Sequence, residues 1–159
     1  MKTPIAVALL ALVAGAAAAD PSQPSVEKRQ LSPAEVSAES EYNRGVRARV
    51  AKDWYMAIDA FETALRFTPD SADAWNELGY ARRHVGKYLE SLAAYDRALQ
   101  INPDFPEALE YLGEAYVQMR RLDDARRVLD RLRPLDRARA DELAKEIAKA
   151  TKSPRSATP

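Results

Sequence analysis

Glycine recurs at a fixed interval through the middle of this chain. Gly45, Gly79 and Gly113 are each 34 residues apart, and Pro69 and Pro103 are separated by the same distance. Three further columns keep this period, one of small and two of apolar residues: Ala57, Ser91 and Ala125; Phe61, Tyr95 and Leu129; and Ala64, Ala98 and Leu132. Several columns in one phase indicate stacked units, none of which can bury its apolar face alone.

The glycines carry a specific packing prediction. A glycine inside a helix costs about 1 kcal/mol relative to alanine, so three at one phase need a compensating contact. We expect the first helix of each repeat to approach the second too closely for a Cβ. On this interpretation the small column that starts at Ala57 faces the glycines, and the column that starts at Phe61 fills a wider gap one turn further on. Pro69 and Pro103 end the second helix, because proline cannot continue a helix.

The order of residue types within each unit points to a family. The middle repeat carries Trp75, Leu78, Gly79, Ser91, Tyr95, Ala98 and Pro103, and the third carries Leu109, Leu112, Gly113, Tyr116, Ala125, Leu129 and Leu132. Over about residues 38–137 the chain therefore resembles the tetratricopeptide repeat family, whose period and column order these are. The resemblance implies an all-α, right-handed solenoid of three helix-turn-helix repeats, at about residues 38–71, 72–105 and 106–137.

Local signals place the ends of this region, which we expect to span residues 32–137. Ser32, Pro33 and Glu35 form a capping box with proline at the first helical position. Gly86 fits the turn between the two helices of the middle repeat. After Pro134, apolar residues continue at helical spacing. We expect a capping helix at 138–151 that covers the last repeat, followed by a disordered tail at 152–159.

The N-terminal sequence has the features of an export signal. Lys2 precedes an apolar run from Ile5 to Gly15, and four alanines then lead to Asp20. This order predicts a cleavable signal peptide at 1–19 and a flexible leader at 20–31. The alternative, a membrane anchor, is disfavoured because the apolar stretch is shorter than the about 20 residues that span a bilayer. The signal type resembles that of bacterial exported proteins, so we expect a periplasmic protein. A eukaryotic secreted protein is less favoured, because small secreted domains are usually rich in cysteine.

The composition excludes several classes of catalytic site, metal site and partner. The chain has 24 basic and 24 acidic residues, so it lacks the basic excess typical of nucleic-acid binders. It has no cysteine and a single histidine, His84, which excludes thiolate catalysis, thiolate zinc sites and two-histidine metal motifs. No glycine-rich phosphate loop or nucleophile motif is present. We expect no enzyme activity, no cofactor and no metal.

Function must then come from a binding surface. The resemblance implies a concave groove lined by the first helix of each repeat, and it maps onto ten residues as a site for another protein or peptide: Tyr42, Val46, Arg49, Asn76, Tyr80, Arg83, His84, Glu110, Glu114 and Val117. Some family members hold a C-terminal carboxylate in a clamp of lysine and asparagine. Here the corresponding residues are Tyr42, Val46, Glu77, Glu107 and Tyr111, so that clamp is absent.

Two functions remain open from the sequence. The first is an adaptor or scaffold of the bacterial envelope that binds a protein or peptide segment in the groove. The second is an assembly component that associates with itself, as a homodimer, because three repeats are near the minimum for stability.

Overall fold

Every regular element in the described part of the chain is helical. The structure, a computed structural model, describes residues 32–153. Seven helices fill that range: α1 Pro33–Val50, α2 Trp54–Phe67, α3 Ala72–His84, α4 Tyr88–Ile101, α5 Pro106–Gln118, α6 Leu122–Leu132 and α7 Arg137–Lys152. The signal peptide, the leader and all but the first two residues of the tail lie outside it. The prediction of an all-α fold with three repeats and a capping helix is confirmed.

Side-chain caps begin four of the seven described helices, and the predicted capping box at the start of α1 is present. The Ser32 hydroxyl accepts from the Glu35 backbone N–H at 3.2 Å, and the Glu35 carboxylate accepts from the Ser32 N–H at 2.8 Å. This reciprocal pair satisfies two donors that the first helical turn leaves without partners. Asp53, Ser71 and Asp136 cap α2, α3 and α7 in the simpler way, each accepting one backbone N–H.

The helices form two layers. Each of α1, α3 and α5 pairs with the helix that follows it, and α7 packs on both α5 and α6. Within residues 32–153, α1 also approaches α3 and α3 approaches α5, whereas α2, α4 and α6 do not approach one another. The layer of α1, α3 and α5 is therefore the inner, more tightly spaced one. We call the surface formed by these three helices the groove.

The glycine columns do bring helices close together, but against a different neighbour from the one predicted. A Cβ built on Gly79 would lie 2.7 Å from Cε1 of Tyr95, and one on Gly45 would lie 2.5 Å from Cε1 of Phe61. The prediction that the Phe61 column fills a separate, wider gap is thus wrong, because these rings lie directly on the glycine backbone. At Gly113 the neighbour is Leu143 of α7. The small column does contribute in the middle repeat, where the Ser91 hydroxyl donates to the Gly79 carbonyl oxygen at 2.8 Å.

Buried side chains form two apolar clusters. One lies between the first and second repeats around Phe61 and Leu78, and the other extends from the second repeat to α7 around Tyr95, Leu109 and Leu143. Trp75 packs against both clusters. Its indole N–H donates to the Pro69 carbonyl oxygen at 2.7 Å, which ties the start of α3 to the preceding turn. The core is continuous along the stack, so each repeat depends on its neighbour.

Candidate functional site

The inner helices carry all ten residues of the predicted groove. Tyr42, Val46 and Arg49 lie on α1, Asn76, Tyr80, Arg83 and His84 on α3, and Glu110, Glu114 and Val117 on α5. Spacings of three and four residues place such side chains on one face of a helix. These ten residues differ in exposure and in the partners that they contact.

Two ion pairs run across the groove from one inner helix to the next, and a third joins α7 to α5. Nε of Arg49 lies 3.0 Å from Oε2 of Glu77, and Nη2 of Arg83 lies 2.7 Å from Oε2 of Glu114. Arg139 of α7 pairs with Glu110 in the same way. The Arg83 side chain is only 7 % exposed. Both predicted arginine donors of the groove are therefore already paired within the chain.

Burial dominates the electrostatics of these pairs. It raises the pKa of Glu77 above its ordinary value, and the nearby Arg49 partly offsets this rise. Burial also raises the pKa of Glu114, with Arg83 again acting in the opposite direction. A carboxylate with little water around it depends on its cation to stay ionised. The arginines thus act as the counter-charges that hold successive repeats together.

An aromatic cluster occupies the centre of the groove. The rings of Trp54 and His84 stack with centroids 4.1 Å apart and planes 9° from parallel. Tyr80 lies 4.5 Å from His84 and 4.9 Å from Tyr111 between ring centroids. The guanidinium of Arg83 lies over the Tyr80 ring at 5.3 Å. We call Trp54, Tyr80, His84 and Tyr111 the aromatic cluster.

Trp54 was missed by the sequence reasoning. The groove positions that the family resemblance supplies all lie on the first helix of a repeat, whereas Trp54 begins the second helix. A signal was present, because Trp54, Tyr88 and Leu122 recur at the 34-residue period. That column could have indicated large apolar residues at the start of each second helix, close to the end of the first.

His84 is exposed, and its lowered pKa favours the uncharged imidazole. Burial within the stack lowers its pKa, and the neighbouring Arg83 and Lys52 lower it further. A neutral imidazole stacks on indole without the cost of desolvating a charge. The groove therefore presents His84 as a flat, polar-edged ring.

Three predicted groove residues serve largely as packing. Tyr42 and Val46 lie against the first apolar cluster, and Val117 lies against the second. The Tyr42 ring is 5.6 Å from that of Phe61. Asn76, which we expected to line the binding site, is 1 % exposed, because it packs within the inner layer. The structure does not present its amide to a partner.

A cavity of about 300 Å³ opens at the N-terminal end of the groove. It lies between α1, the end of α2 and the start of α3, and its lining is Glu35, Ala38, Glu39, Tyr42, Ala64, Thr68, Ser71, Asp73 and Ala74. Tyr42 is the member of this lining that belongs to the ten predicted site residues. We call this space the N-terminal cavity.

The positions of the carboxylate clamp have other roles here. Glu77 is paired with Arg49, and Glu107 accepts a hydrogen bond from the Tyr111 hydroxyl at 2.9 Å. Glutamates at these positions would repel an acidic terminus. Within residues 32–153 no group of three metal-ligating side chains comes together, and no helix there has the length and hydropathy to cross a membrane.

Comparison with known proteins agrees with this architecture. Two family models, both described as tetratricopeptide repeat, match residues 42–106 and 82–149. The chain belongs to the tetratricopeptide repeat family. No curated protein matches it.

Several solved tetratricopeptide structures share the fold. The TPR domain of Arabidopsis OM64 superposes with a TM-score of 0.69 at 17% identity, over 73% of this chain and 98% of that domain. The TPR2B domain of yeast Sti1, in its pHsp70 complex, gives 0.69 at 21% identity over 74% and 98%. The first TPR of Spaghetti (RPAP3), bound to the HSP90 peptide SRMEEVD, gives 0.69 at 17% identity over 75% and 96%. At such identities the likeness concerns the fold alone.

Proposed function

We propose that this chain is a non-catalytic adaptor of the bacterial envelope that holds a segment of another protein in its groove. The observation that supports this most directly is the aromatic cluster at the centre of the inner surface. Tyrosine and tryptophan rings offer large contact areas at a low cost in conformational entropy, and they dominate the energetics of protein interfaces. The exposed ring of His84 extends this surface.

Two of the similar structures are consistent with a peptide in such a groove. The Sti1 domain is in complex with pHsp70, and the RPAP3 domain is bound to an HSP90 peptide. Our proposal takes from them only that domains of this fold bind peptide segments, and it places the segment along the inner helices on the strength of the aromatic cluster. It does not extend to an acidic C-terminus, because Glu77 and Glu107 stand where a clamp would need basic or amide side chains.

The arrangement around His84 favours binding over catalysis. The histidine stacks on Trp54 and Tyr80 and lies near the cations Arg83 and Lys52. A general base needs a substrate or a nucleophile within hydrogen-bond reach, together with an orienting partner. The contacts of this imidazole are instead those of a packing surface.

The groove can be tested by removing two rings of the aromatic cluster while leaving the ion pairs intact. We expect Trp54→Ala with His84→Ala to weaken partner binding by about 30-fold, the scale of a hot spot. Arg83 is left unchanged, because its loss would strand Glu114. The partner would be captured from envelope extract with the wild-type chain, identified, and then titrated against each variant.

A matched control lies in the same turn. Tyr55 follows Trp54 directly but is 71 % exposed and outside the aromatic cluster. We expect Tyr55→Ala to bind the partner as wild type does. If the Trp54/His84 variant retains its melting temperature and its full affinity, the groove is not the binding surface.

A second candidate, self-association, is favoured by an exposed apolar edge. Tyr55 and Leu89 are one repeat apart and are 71 % and 72 % exposed, and Val50 is exposed nearby in sequence. Apolar side chains that are exposed at the same position of successive repeats would contribute to one contact surface along the stack. Sedimentation over a range of concentrations tests it: this function requires a dimer that Tyr55→Ser with Leu89→Ser converts to monomer, and a strict wild-type monomer removes it.

The envelope location rests on the N-terminal sequence. Fractionation of a bacterial host and mass spectrometry of the purified chain test it, with a mature N-terminus at Asp20 as the expected result. Leu10→Arg, which places a charge in the apolar run, should block export. A wild-type chain that stays in the cytoplasm with residues 1–19 attached would contradict this part of the proposal.

A further inference from the structure

The charges of the groove do not cancel. Arg49 and Arg83 of the inner helices and Arg139 of α7 each pair with one glutamate of the inner helices, and one further cation, Lys52, lies beside His84. Three other carboxylates have no ion-pair partner among residues 32–153, and they are Glu39, Asp73 and Glu107. The groove therefore carries an excess of negative charge, and two of these three residues, Glu39 and Asp73, line the N-terminal cavity.

The cavity itself has an apolar floor and an acidic rim. Ala38, Ala64 and Ala74 are buried and line it beside Tyr42, while Glu39 and Asp73 line it as exposed residues. Alanines leave a recess that a longer side chain could fill with methylene groups. The position of Asp73 in the first turn of α3 suits the helix dipole, but Glu39 lies within α1 and gains nothing there from a helix end.

The carboxylates of the groove also act on Tyr42, which forms part of the cavity wall. Burial raises the pKa of the Tyr42 hydroxyl to about 12, and the charges of Glu77, Asp73 and Glu107 raise it as well, against the opposing effect of Arg49. A site where several carboxylates disfavour one more negative charge is, by the same interaction, favourable for a positive one.

We propose that the N-terminal cavity receives a basic side chain of the bound segment. The methylene stem would lie on the alanine floor and the cationic head would meet Glu39 and Asp73, as long basic side chains commonly do at the edge of apolar surface. This inference rests on the proposed function, and it assigns the partner's chemistry: a segment with a lysine or arginine that enters the α1 end of the groove.

The experiment begins with an unbiased set of ligands. Random 12-residue peptides displayed on phage are selected on the whole chain, and the peptides enriched are synthesised. We expect a lysine or arginine to recur at one position. Replacing it with norleucine, which keeps the stem and loses the charge, should weaken binding by about tenfold, the scale of one charge-assisted contact.

Protein variants locate the contact. Glu39→Gln with Asp73→Asn should also lower the affinity for the basic peptide by about tenfold. The same variant should not lower the affinity for the norleucine peptide further. Asp104→Asn with Asp141→Asn makes the same change in net charge at exposed carboxylates outside the cavity, and should leave affinity unchanged. Melting temperatures of both double variants establish that they are folded.

Failure of this inference differs from failure of the proposed function. Enriched peptides without a basic residue, or equal affinity of the lysine and norleucine forms, overturn the cavity assignment while the groove stands. If no peptide is enriched, or if the selected peptides bind the Trp54→Ala with His84→Ala variant as tightly as wild type, the groove proposal falls and this inference with it.

Discussion

At the scale of single residues, the turns between the two helices of each repeat share one unusual backbone conformation. Lys52, Gly86 and Arg120 are each 34 residues apart and have φ of 59°, 79° and 61°. Each turn is closed by the same two backbone hydrogen bonds, as at Gly86 N–H to Arg83 O and Lys87 N–H to Arg82 O. The bonds require the left-handed conformation, which costs a residue with a Cβ about 1–2 kcal/mol.

This turn predicts a stabilising substitution. Lys52→Gly removes the left-handed penalty and adds some chain entropy to the unfolded state, so we expect a net gain of about 0.5–1 kcal/mol. Denaturant unfolding measures it. Gly86→Ala is the opposite change at the equivalent position and should cost about 1 kcal/mol. Lower stability of Lys52→Gly would mean that its side chain makes a contact worth more than the backbone strain.

At the scale of elements, close approach within a helix pair depends on the absence of one methyl group. The Tyr95 ring is 0 % exposed and lies against Gly79, so it has no room to move. We expect Gly79→Ala to destabilise the protein by about 1–2 kcal/mol, because overpacking outweighs the gain in helix propensity. In a Tyr95→Leu background the same change should cost less. Thermal unfolding of the wild type, the two single variants and the double variant gives the coupling free energy between the two positions. Additive effects would contradict direct contact.

The ion pairs between inner helices predict a pH dependence. Arg49→Met keeps much of the stem but leaves Glu77 without its cation, so the folded-state pKa of Glu77 should rise further above its ordinary value. A raised folded pKa means that the native state binds the proton more tightly than the unfolded state. Stability is then highest below the unfolded pKa and is lost as pH rises through the folded pKa.

We therefore expect Arg49→Met to cost about 1–3 kcal/mol at pH 8 and less towards pH 4.5. Urea unfolding at a series of pH values measures the difference from wild type. Adding Glu77→Gln removes the titrating group and should flatten the curve. A loss that is constant with pH in the single variant would assign the effect to packing alone.

At the scale of the whole molecule, the sequence predicts the repeat better than it predicts the site. The 34-residue columns give the helix pairs and their order, because most columns report a contact that recurs from unit to unit. The capping helix follows instead from the apolar spacing after Pro134, and there the glycine contact passes to Leu143 of α7. The groove depends on contacts between different units, such as Arg83 with Glu114 and Trp54 with His84. No column contains both members of these pairs, so their partners become evident only when the repeats are stacked.

In the stack, α7 covers the end of the third repeat, where it packs on α5 and α6. Leu143 is 1 % exposed and packs on Gly113, so Leu143→Ala should leave a cavity at the end of the core and cost about 2–4 kcal/mol. Stability in a solenoid is close to a sum of repeat and nearest-neighbour terms. Hydrogen exchange should therefore accelerate most in α5 and α6 and little in α1 and α2.

The control for this variant is Leu135→Ala, just before α7, where the side chain is 40 % exposed. It should cost less than about 1 kcal/mol and leave the exchange pattern unchanged. If Leu143→Ala speeds exchange equally in all helices from α1 to α6, the three repeats unfold as one cooperative unit. The capping helix would then stabilise the far end of the groove, including the N-terminal cavity, as strongly as the repeat it touches.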